Sequence, residues 1–473
     1  MIRTPTWWWQ PVLMPVLALV LGLARIARAS EPPLTLDEVL ERISQHPGLQ
    51  GTEQKIEAAR GKRLSARGAF DPKLVARGTV QPVGYYENAW VDVKVEQATP
   101  LWGTVLFAGW RLGQGEFPVY DGKLETARGG ELRAGVRVPL WRDGLVDRNR
   151  TTRSQAELEV RRAEREADAK QLELQLKAAK TYWSWVGARQ RLDVVEQLLH
   201  MAEARQAGLV RQVDAGAVPE LEAIDNERSI ADRRLDGVSA RRKLDTAAVE
   251  LSLYLRDAEG RPVVPPRGRA PTTLPTPPAA PEASPEALVP KALERRPELL
   301  ALEHAQSVAE LEARWARNQR APDVALQGYV ARDLGPGPTS LLPPELALSL
   351  TLELPVPLRK ARGQLQTALA EVSRVRAERR LWSDVIGIEL RTADLRLRAA
   401  IDALALADRQ AELAERVAEA ERRRLSLGAS NVLTVNLREQ AAAEAATKRI
   451  DAAIEAQVAH AEHRVAQGLP PVR

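Results

Sequence analysis

Glu345 to Leu358 reads ELALSLTLELPVPL, and the reading of this stretch decides the fold. Leu346, Leu348, Leu350, Leu352 and Leu354 take every second position, while Glu345, Ala347, Ser349, Thr351 and Glu353 fill the alternate ones. Successive side chains of a strand point to opposite faces, so the segment makes a strand with one leucine face and one small, hydroxylic or acidic face. A soluble sandwich strand could alternate in the same way, although usually with β-branched and aromatic residues in place of five leucines. About ten residues is also the length of a tilted strand that crosses a bilayer. On this pattern alone both readings stand.

Working outward, 28% of the 473 residues are charged and only 4% are aromatic, and Ala, Leu, Glu and Arg dominate. Such a composition favours long helices over compact mixed cores. The formal net charge is +5, with Lys and Arg interleaved with Asp and Glu along the helical stretches, which argues against a nucleic-acid surface. The chain has no cysteine, which excludes disulfides, thiolate metal sites and a lipidated N-terminal cysteine. Near the start, Arg3 precedes an apolar run from Pro11 to Ala24 and the small-x-small signature Ala27-Arg28-Ala29. These features predict a secretory signal peptide over 1–29. An uncleaved anchor is the competing reading, but fourteen apolar residues containing Pro11 and Pro15 are short for a spanning helix. No later stretch approaches the roughly 18 apolar residues of such a helix, so a membrane-embedded chain would have to span with strands.

From Leu36 to about Arg67 the chain is helical in character, with Thr35 and Asp37 as cap residues and a break at His46-Pro47. The same plan returns 250 positions later. Val39, Pro47, Leu49, Glu53, Ala59, Ala66, Arg67, Pro72, Gly78 and Val80 match Val289, Pro297, Leu299, Glu303, Ala309, Ala316, Arg317, Pro322, Gly328 and Val330 without a gap. Ten identities over 45 positions, two prolines and a glycine among them, point to an internal duplication.

After Pro72 the texture changes. Val91, Val93 and Val95 alternate with Asp92, Lys94 and Glu96; Leu132, Ala134, Val136 and Val138 alternate with Arg133, Gly135 and Arg137. Gly103 to Arg111 is a further candidate strand, followed by a Gly-rich loop through Tyr120-Asp121-Gly122 to Gly129-Gly130. Ten of the twenty aromatics fall between Phe70 and Trp141, a window of about 15% of the chain. A bilayer girdle explains this clustering, and so does a plain preference of aromatics for strands.

Leu172, Leu176, Ala179, Trp183 and Val186 form a heptad stripe, continued after a slip by Leu192, Val195, Leu199, Ala202, Leu209 and Val213. No proline occurs between Pro139 and Pro219, so a single helix of about 60 residues, on the order of 90 Å, is permitted. Gly216 followed by Pro219 marks its end and the start of a returning helix. The predicted organisation is a signal peptide (1–29), a first repeat (30–257), a Pro-rich extended linker (258–285), a second repeat (286–468) and a tail (469–473). In the first repeat helices cover 36–69, strands 73–139, a long helix 145–213, a tip 214–219 and a return helix 220–256. In the second, helices cover 286–320, strands 323–357, a long helix 360–425, a tip 426–431 and a return helix 432–467.

Catalytic signals are poor. There is no Walker loop, no G-x-S-x-G elbow and no H-E-x-x-H, and Gly113-Gln114-Gly115 lacks the third glycine of a dinucleotide fingerprint. His460 and His463 stand one turn apart but have no further ligands, and their setting among Glu455 and Glu462 points to a solvated helix face. No enzyme activity, cofactor or metal is expected. The two tips are better candidates. Glu222 and Asp225 follow the first, and Ser430, Asn431 and Thr434 belong to the second. Gathered around a symmetry axis they would ring and gate an opening; on separate helices they would merely complement helix N-termini.

LTLDEVLERISQHPGL, FDPKL entering the strands, ELRAGVRVPL leading into a long helix, the DAGAVPELEAID turn and the second copy of the plan together resemble the TolC family of outer-membrane efflux proteins. The likeness spans almost all of the mature chain. It implies a mixed α and transmembrane β fold, in which long antiparallel coiled-coil helices form a periplasmic α-barrel. Each subunit would add about four strands, or as many as six, to a β-barrel shared by a homotrimer. The implied function is a passive exit duct for efflux or type I secretion, in the outer membrane of a Gram-negative bacterium and extending into the periplasm. A periplasmic adaptor protein would dock on the tips, linking them to an inner-membrane pump of the RND or ABC type. By position, Asp214, Gly216, Ala217, Leu427, Gly428 and Ala429 would be the docking tips, and Glu222, Asp225, Ser430, Asn431 and Thr434 the candidate pore gate. Leu346, Leu348, Leu350, Leu352 and Leu354 would face lipid, and Pro139 and Pro357 would mark the junction of barrel and tunnel. Two departures stand out. The positions beyond the second tip where the family often carries acids hold Thr434 and Leu437, and the segment 91–130 is an added hairpin or external loop where the family usually has two strands per copy. A periplasmic coiled-coil scaffold with a small strand domain is the rival reading; it leaves the leucine face unexplained.

Overall fold

The computed structural model describes residues 32–118, 124–273, 279–341 and 343–472; the predicted signal peptide and the Tyr120 to Gly122 part of the Gly-rich loop lie outside them. Helices α1 (Leu36–Arg42) and α2 (Pro47–Arg67) lead into strands β1 (Lys73–Gln81), β2 (Asn88–Ala98), β3 (Val105–Gly115) and β4 (Glu131–Pro139). The long helix α3 (Arg148–Asp214) and its return α4 (Glu220–Leu251) follow. Then come α5 (Pro285–Arg295), α6 (Pro297–Asn318), β5 (Asp323–Asp333), β6 (Glu345–Glu353), the long α7 (Arg359–Ser426) and α8 (Val432–Ala466).

Local chemistry sets these limits. Thr35 caps α1, its hydroxyl accepting from Glu38 N at 3.2 Å. Pro297 opens α6, where the missing N–H would have had no helical partner. Asp147 caps α3, accepting from Arg150 N at 2.9 Å. Leu354 falls one residue past the end of β6, because Pro355 offers no donor to continue the ladder.

The chain divides into two compact units. One comprises the described parts of Met1–His46, Lys177–Ala279 and Arg398–Ala459. Its core includes Leu34, Ile43, Trp185, Leu192, Leu244 and Leu251, all at most 2% exposed, and Tyr182 donates to Leu34 O at 2.8 Å. Burial pushes the Tyr182 phenol above its ordinary range, with the nearby Asp37 carboxylate adding to the effect. The predicted extended linker is in part docked on this unit: Leu34 N donates to Arg269 O at 2.9 Å, Arg269 pairs with Glu38, and Pro265 and Ala270 are buried.

The other unit comprises Pro47–Leu176, Ala280–Leu397 and His460–Arg473. Ala309, Ala313 and Ala316 of α6 pack on Ala368 and Val372 of α7, and Ala292, Leu299, Ile386, Leu390, Ala393 and Ala466 form a second core. One expectation is corrected here: His463 is not on a solvated face. It is 4% exposed, with Nε2 3.7 Å from Asp394 Oδ1, because the last turns of α8 turn that side toward α7.

This second unit also holds a six-stranded antiparallel sheet in the order β1-β2-β3-β4-β5-β6. The segment expected as an added hairpin or external loop supplies β2 and β3, which lie inside the sheet between β1 and β4. The register is continuous across the whole sheet. Leu74, Val95, Ala108, Ala134, Val330 and Leu346 fall in one row, and Ala76, Val93, Trp110 and Leu132 in the next. Val138, Leu326 and Leu350 share another. One face of the sheet is thus almost entirely apolar. The opposite face carries Arg77, Asp92, Arg111, Glu131 and Asp333 in a single row, with ion pairs Arg111–Glu131 and Arg133–Asp92.

Glycines tell which face is concave. Gly109 and Gly135 both lie on the polar face, where a Cβ at Gly109 would stand 2.6 Å from Lys94 Cβ and one at Gly135 2.6 Å from Phe107 Cζ. Side chains converge on the inside of a curved sheet and diverge on the outside, so crowding that only glycine tolerates marks the charged face as the inner one.

Candidate functional site

The two tips fall in the same unit and are built alike. At the first, Gly216 has φ +69°, Gly216 N donates to Val213 O at 2.9 Å and Ala217 N to Gln212 O at 2.8 Å. At the second, Gly428 has φ +72°, with Gly428 N on Leu425 O at 3.0 Å and Ala429 N on Arg424 O at 2.8 Å. These are the paired bonds of a Schellman motif, and they require a left-handed residue where glycine pays no steric penalty. Asp214, Gly216, Ala217, Leu427, Gly428 and Ala429 are all exposed, Leu427 at 81%. Beneath them Leu209, Val213, Ala223, Leu425 and Val432 form one small core drawn from α3, α4, α7 and α8, so the two turns are anchored together.

The expected gate residues divide into two groups. Ser430 donates to Glu421, and Asn431 caps α8 by accepting from Thr434 N at 2.8 Å, so these three shape the second turn. Asp225 pairs with Arg228 at 3.3 Å and lines a groove of about 640 Å³ together with Asp232, Asp236, Leu437 and Glu444. Glu222 is half-buried on the first turn of α4, outside that groove.

A cluster that the sequence reading did not single out lies a few turns above the tips. Glu439 of α8, 1% exposed, receives Arg205 of α3 and Arg233 of α4, the latter at 3.3 Å. Arg422 of α7 stands 3.8 Å from the same carboxylate. Arg205 also donates to Asn436 Oδ1 at 2.8 Å and Asn226 Oδ1 at 3.2 Å, and Arg233 to Leu198 O at 2.8 Å. Burial pulls the Arg233 guanidinium below its ordinary range, and the Glu439 carboxylate opposes that shift. The arrangement ties four helices through one carboxylate. A signal for it exists in the sequence: Ala223, Asn226, Ile230, Arg233, Gly237, Ala240 and Leu244 keep a three-and-four spacing, so Asn226 and Arg233 occupy inward positions.

At the strand-to-helix junction, Leu140 N donates to Val324 O at 2.7 Å and Trp102 Nε1 to Pro139 O at 2.7 Å. Arg142 pairs with Asp323, and Asp143 N donates to Asn318 Oδ1 at 2.9 Å. The β2–β3 turn, which carries Trp102, is therefore packed against the end of β4. Pro357, the counterpart of Pro139, follows a cis peptide bond and is exposed.

No protein-family model and no curated protein matches the chain. Solved structures do. The outer-membrane channel OprN aligns at 17% identity with a TM-score of 0.65, covering 92% of this chain and 89% of that one. The outer membrane protein VceC from Vibrio cholerae aligns at 17% identity and a TM-score of 0.62, covering 92% and 96%. The open state of the Neisseria gonorrhoeae MtrE outer membrane channel aligns at 17% identity and 0.65, covering 92% and 88%. The chain has the fold of these outer-membrane channels.

Proposed function

We propose that this chain is an outer-membrane channel subunit, the passive exit duct of a tripartite efflux or type I secretion system, working as a homotrimer with a periplasmic adaptor and an inner-membrane RND or ABC-type pump. The observation that carries the reading is the almost entirely apolar face running across six antiparallel strands, interrupted by Arg332 near the end of β5, with a charged concave face behind it. Leu346, Leu348, Leu350 and Leu352 are between 67% and 70% exposed, a stripe that water would penalise and lipid would not. No helix among the described residues is long and apolar enough to cross a membrane, which leaves the strands to span it. The fold likeness supports the same assignment, as does the duplicated plan of helices and strands.

In this reading the lumen is lined by the charged face, and passage is controlled where the tips converge. Glu222 and Asp225 are the acids available to a pore there, while Ser430, Asn431 and Thr434 hold the second turn in shape. Energy comes from the pump, and the channel contributes shape.

Fractionation tests the reading. The protein is expected in the outer-membrane fraction and as an oligomer that dissociates only on boiling. Recovery from the soluble periplasm, with no oligomer before heating, would favour the coiled-coil scaffold instead. Docking at the tips has its own test. Gly216→Val or Gly428→Val forces a β-branched residue into a left-handed conformation at about 1–2 kcal/mol. A Cβ at either position meets nothing within 4 Å, so the strain stays at the turn. The trimer should remain intact while export falls; normal export from both variants would remove the docking assignment.

A further inference from the structure

We propose that the shared barrel contains eighteen strands, six from each of three copies, closed by pairing β6 of one chain with β1 of the next, and that the β2–β3 hairpin is a permanent part of the barrel wall that widens the exit. The inference rests on the trimeric channel reading and specifies its barrel.

The sheet ends on two open edges, β1 and β6, each nine residues long and neither paired with another strand among the described residues. Lipid offers no hydrogen bonds, so both edges must find partners before the apolar face can lie in a membrane. The sheet does not close on itself, since β6 pairs only with β5 and β1 only with β2. A second copy of the chain is the occupant that fits. The edges are equal in length, and with six strands in strict antiparallel order β1 and β6 run in opposite directions. Joining β6 to the β1 of a neighbour therefore keeps the alternation through every seam, as closed antiparallel barrels require. The faces match as well, apolar on the outside of both edges: Leu74 and Ala76 on β1, Leu348 and Leu350 on β6.

The hairpin could in principle be an excursion beside a smaller, four-strand contribution, but its contacts tie it into the wall on both sides. β2 pairs with β1 over the full length of β1, and β3 pairs with β4 from Val105 to Arg111. Asp92 of β2 reaches across the inner face to Arg133 of β4, past the intervening β3. Trp102 in its turn donates to Pro139 O, and a Cβ on Gly103 would stand 3.1 Å from Pro139 Cγ. Val91, Val93, Val95, Leu106 and Ala108 continue the apolar face without a break. At a strand spacing of about 4.8 Å and a tilt of about 40°, eighteen strands give a barrel roughly 36 Å across between backbones, against roughly 24 Å for twelve. That is the strand number at which barrels enclose an aqueous channel.

The chain has no cysteine, so introduced pairs report cleanly. Ser349→Cys or Thr351→Cys on the inner face of β6, each combined with Val75→Cys, Arg77→Cys or Thr79→Cys on the inner face of β1, makes six double variants. Oxidation in outer-membrane vesicles should give covalent dimers and trimers, resistant to boiling and lost on reduction, in at least one of the six. A second measurement uses single cysteines on the hairpin. A water-soluble maleimide should label Lys94→Cys roughly tenfold or more faster than Val93→Cys, because only position 93 faces lipid. A boiling-sensitive membrane oligomer with no inter-chain cross-link in any pair, or equal labelling at 93 and 94, would overturn the eighteen-strand barrel and leave the channel reading standing. Absence of any membrane oligomer would overturn both.

Discussion

Leu350→Arg is expected to block assembly in the outer membrane, whereas Thr351→Arg, one residue along the same strand, is expected to assemble nearly as well as the parent. The two positions differ only in face. Leu350 shares a row with Leu326 and Val138 on the apolar side, and Thr351 shares one with Ala325 and Pro139 on the charged, concave side. An arginine near the bilayer midplane costs about 2–4 kcal/mol, and the proposed trimer would carry the substitution three times. On the inner face the same side chain meets water and a surface that already carries Arg133, Arg137 and Arg111. The readout is the boiling-sensitive oligomer in washed outer membranes, with total expression as control. Equal loss for both variants would mean that the two faces of β6 are similarly buried; equal tolerance would mean that neither faces lipid.

That contrast was legible in the residues themselves, because alternation is a local property and β6 states it four times over. The same holds for the tips: a glycine three residues before a proline announces both the left-handed stop and the next helix, and Gly216 and Pro219 do what that pattern requires. What is not local was not legible. Val91 to Glu96 advertised a two-faced strand, but nothing in them says that it pairs with β1 on one side and β3 on the other; that depends on register between segments far apart. Gly109 and Gly135 are explained only by their neighbours across the sheet. Glu455 and Glu462 suggest a solvated face for His463, whereas its burial is decided by the packing of α8 on α7, where Asp394, remote in sequence, lies 3.7 Å away. Glu439 is the sharpest case. Among so many acidic residues on charged helices it stands out only when helix α8 is folded against three others.

Removing Glu439 should be among the most damaging single changes in the helical unit. Glu439→Ala would leave Arg205 and Arg233 facing each other in an interior position, with side chains 13% and 6% exposed and their shared carboxylate gone. Breaking a buried charge pair from one side costs about 3–5 kcal/mol, because the remaining charges stay desolvated. The exposed pair Arg191–Asp451 in the same unit provides the comparison: its side chains are 34% and 53% exposed, so Asp451→Ala should cost no more than about 1 kcal/mol. Amide hydrogen exchange distinguishes the two. In Glu439→Ala, protection should fall in α3 around Ala202 and Gln206, in α4 around Asn226 and in α8 around Asn436, all at once, since one carboxylate gathers these helices. In Asp451→Ala exchange should remain close to that of the parent. Loss confined to α8 would show that the arginines find other partners and that the four helices are held by packing alone. A concerted loss would identify Glu439 as the tie that makes the two tips of a subunit behave as one body, and so as the place where loosening a single residue changes how readily both tips move.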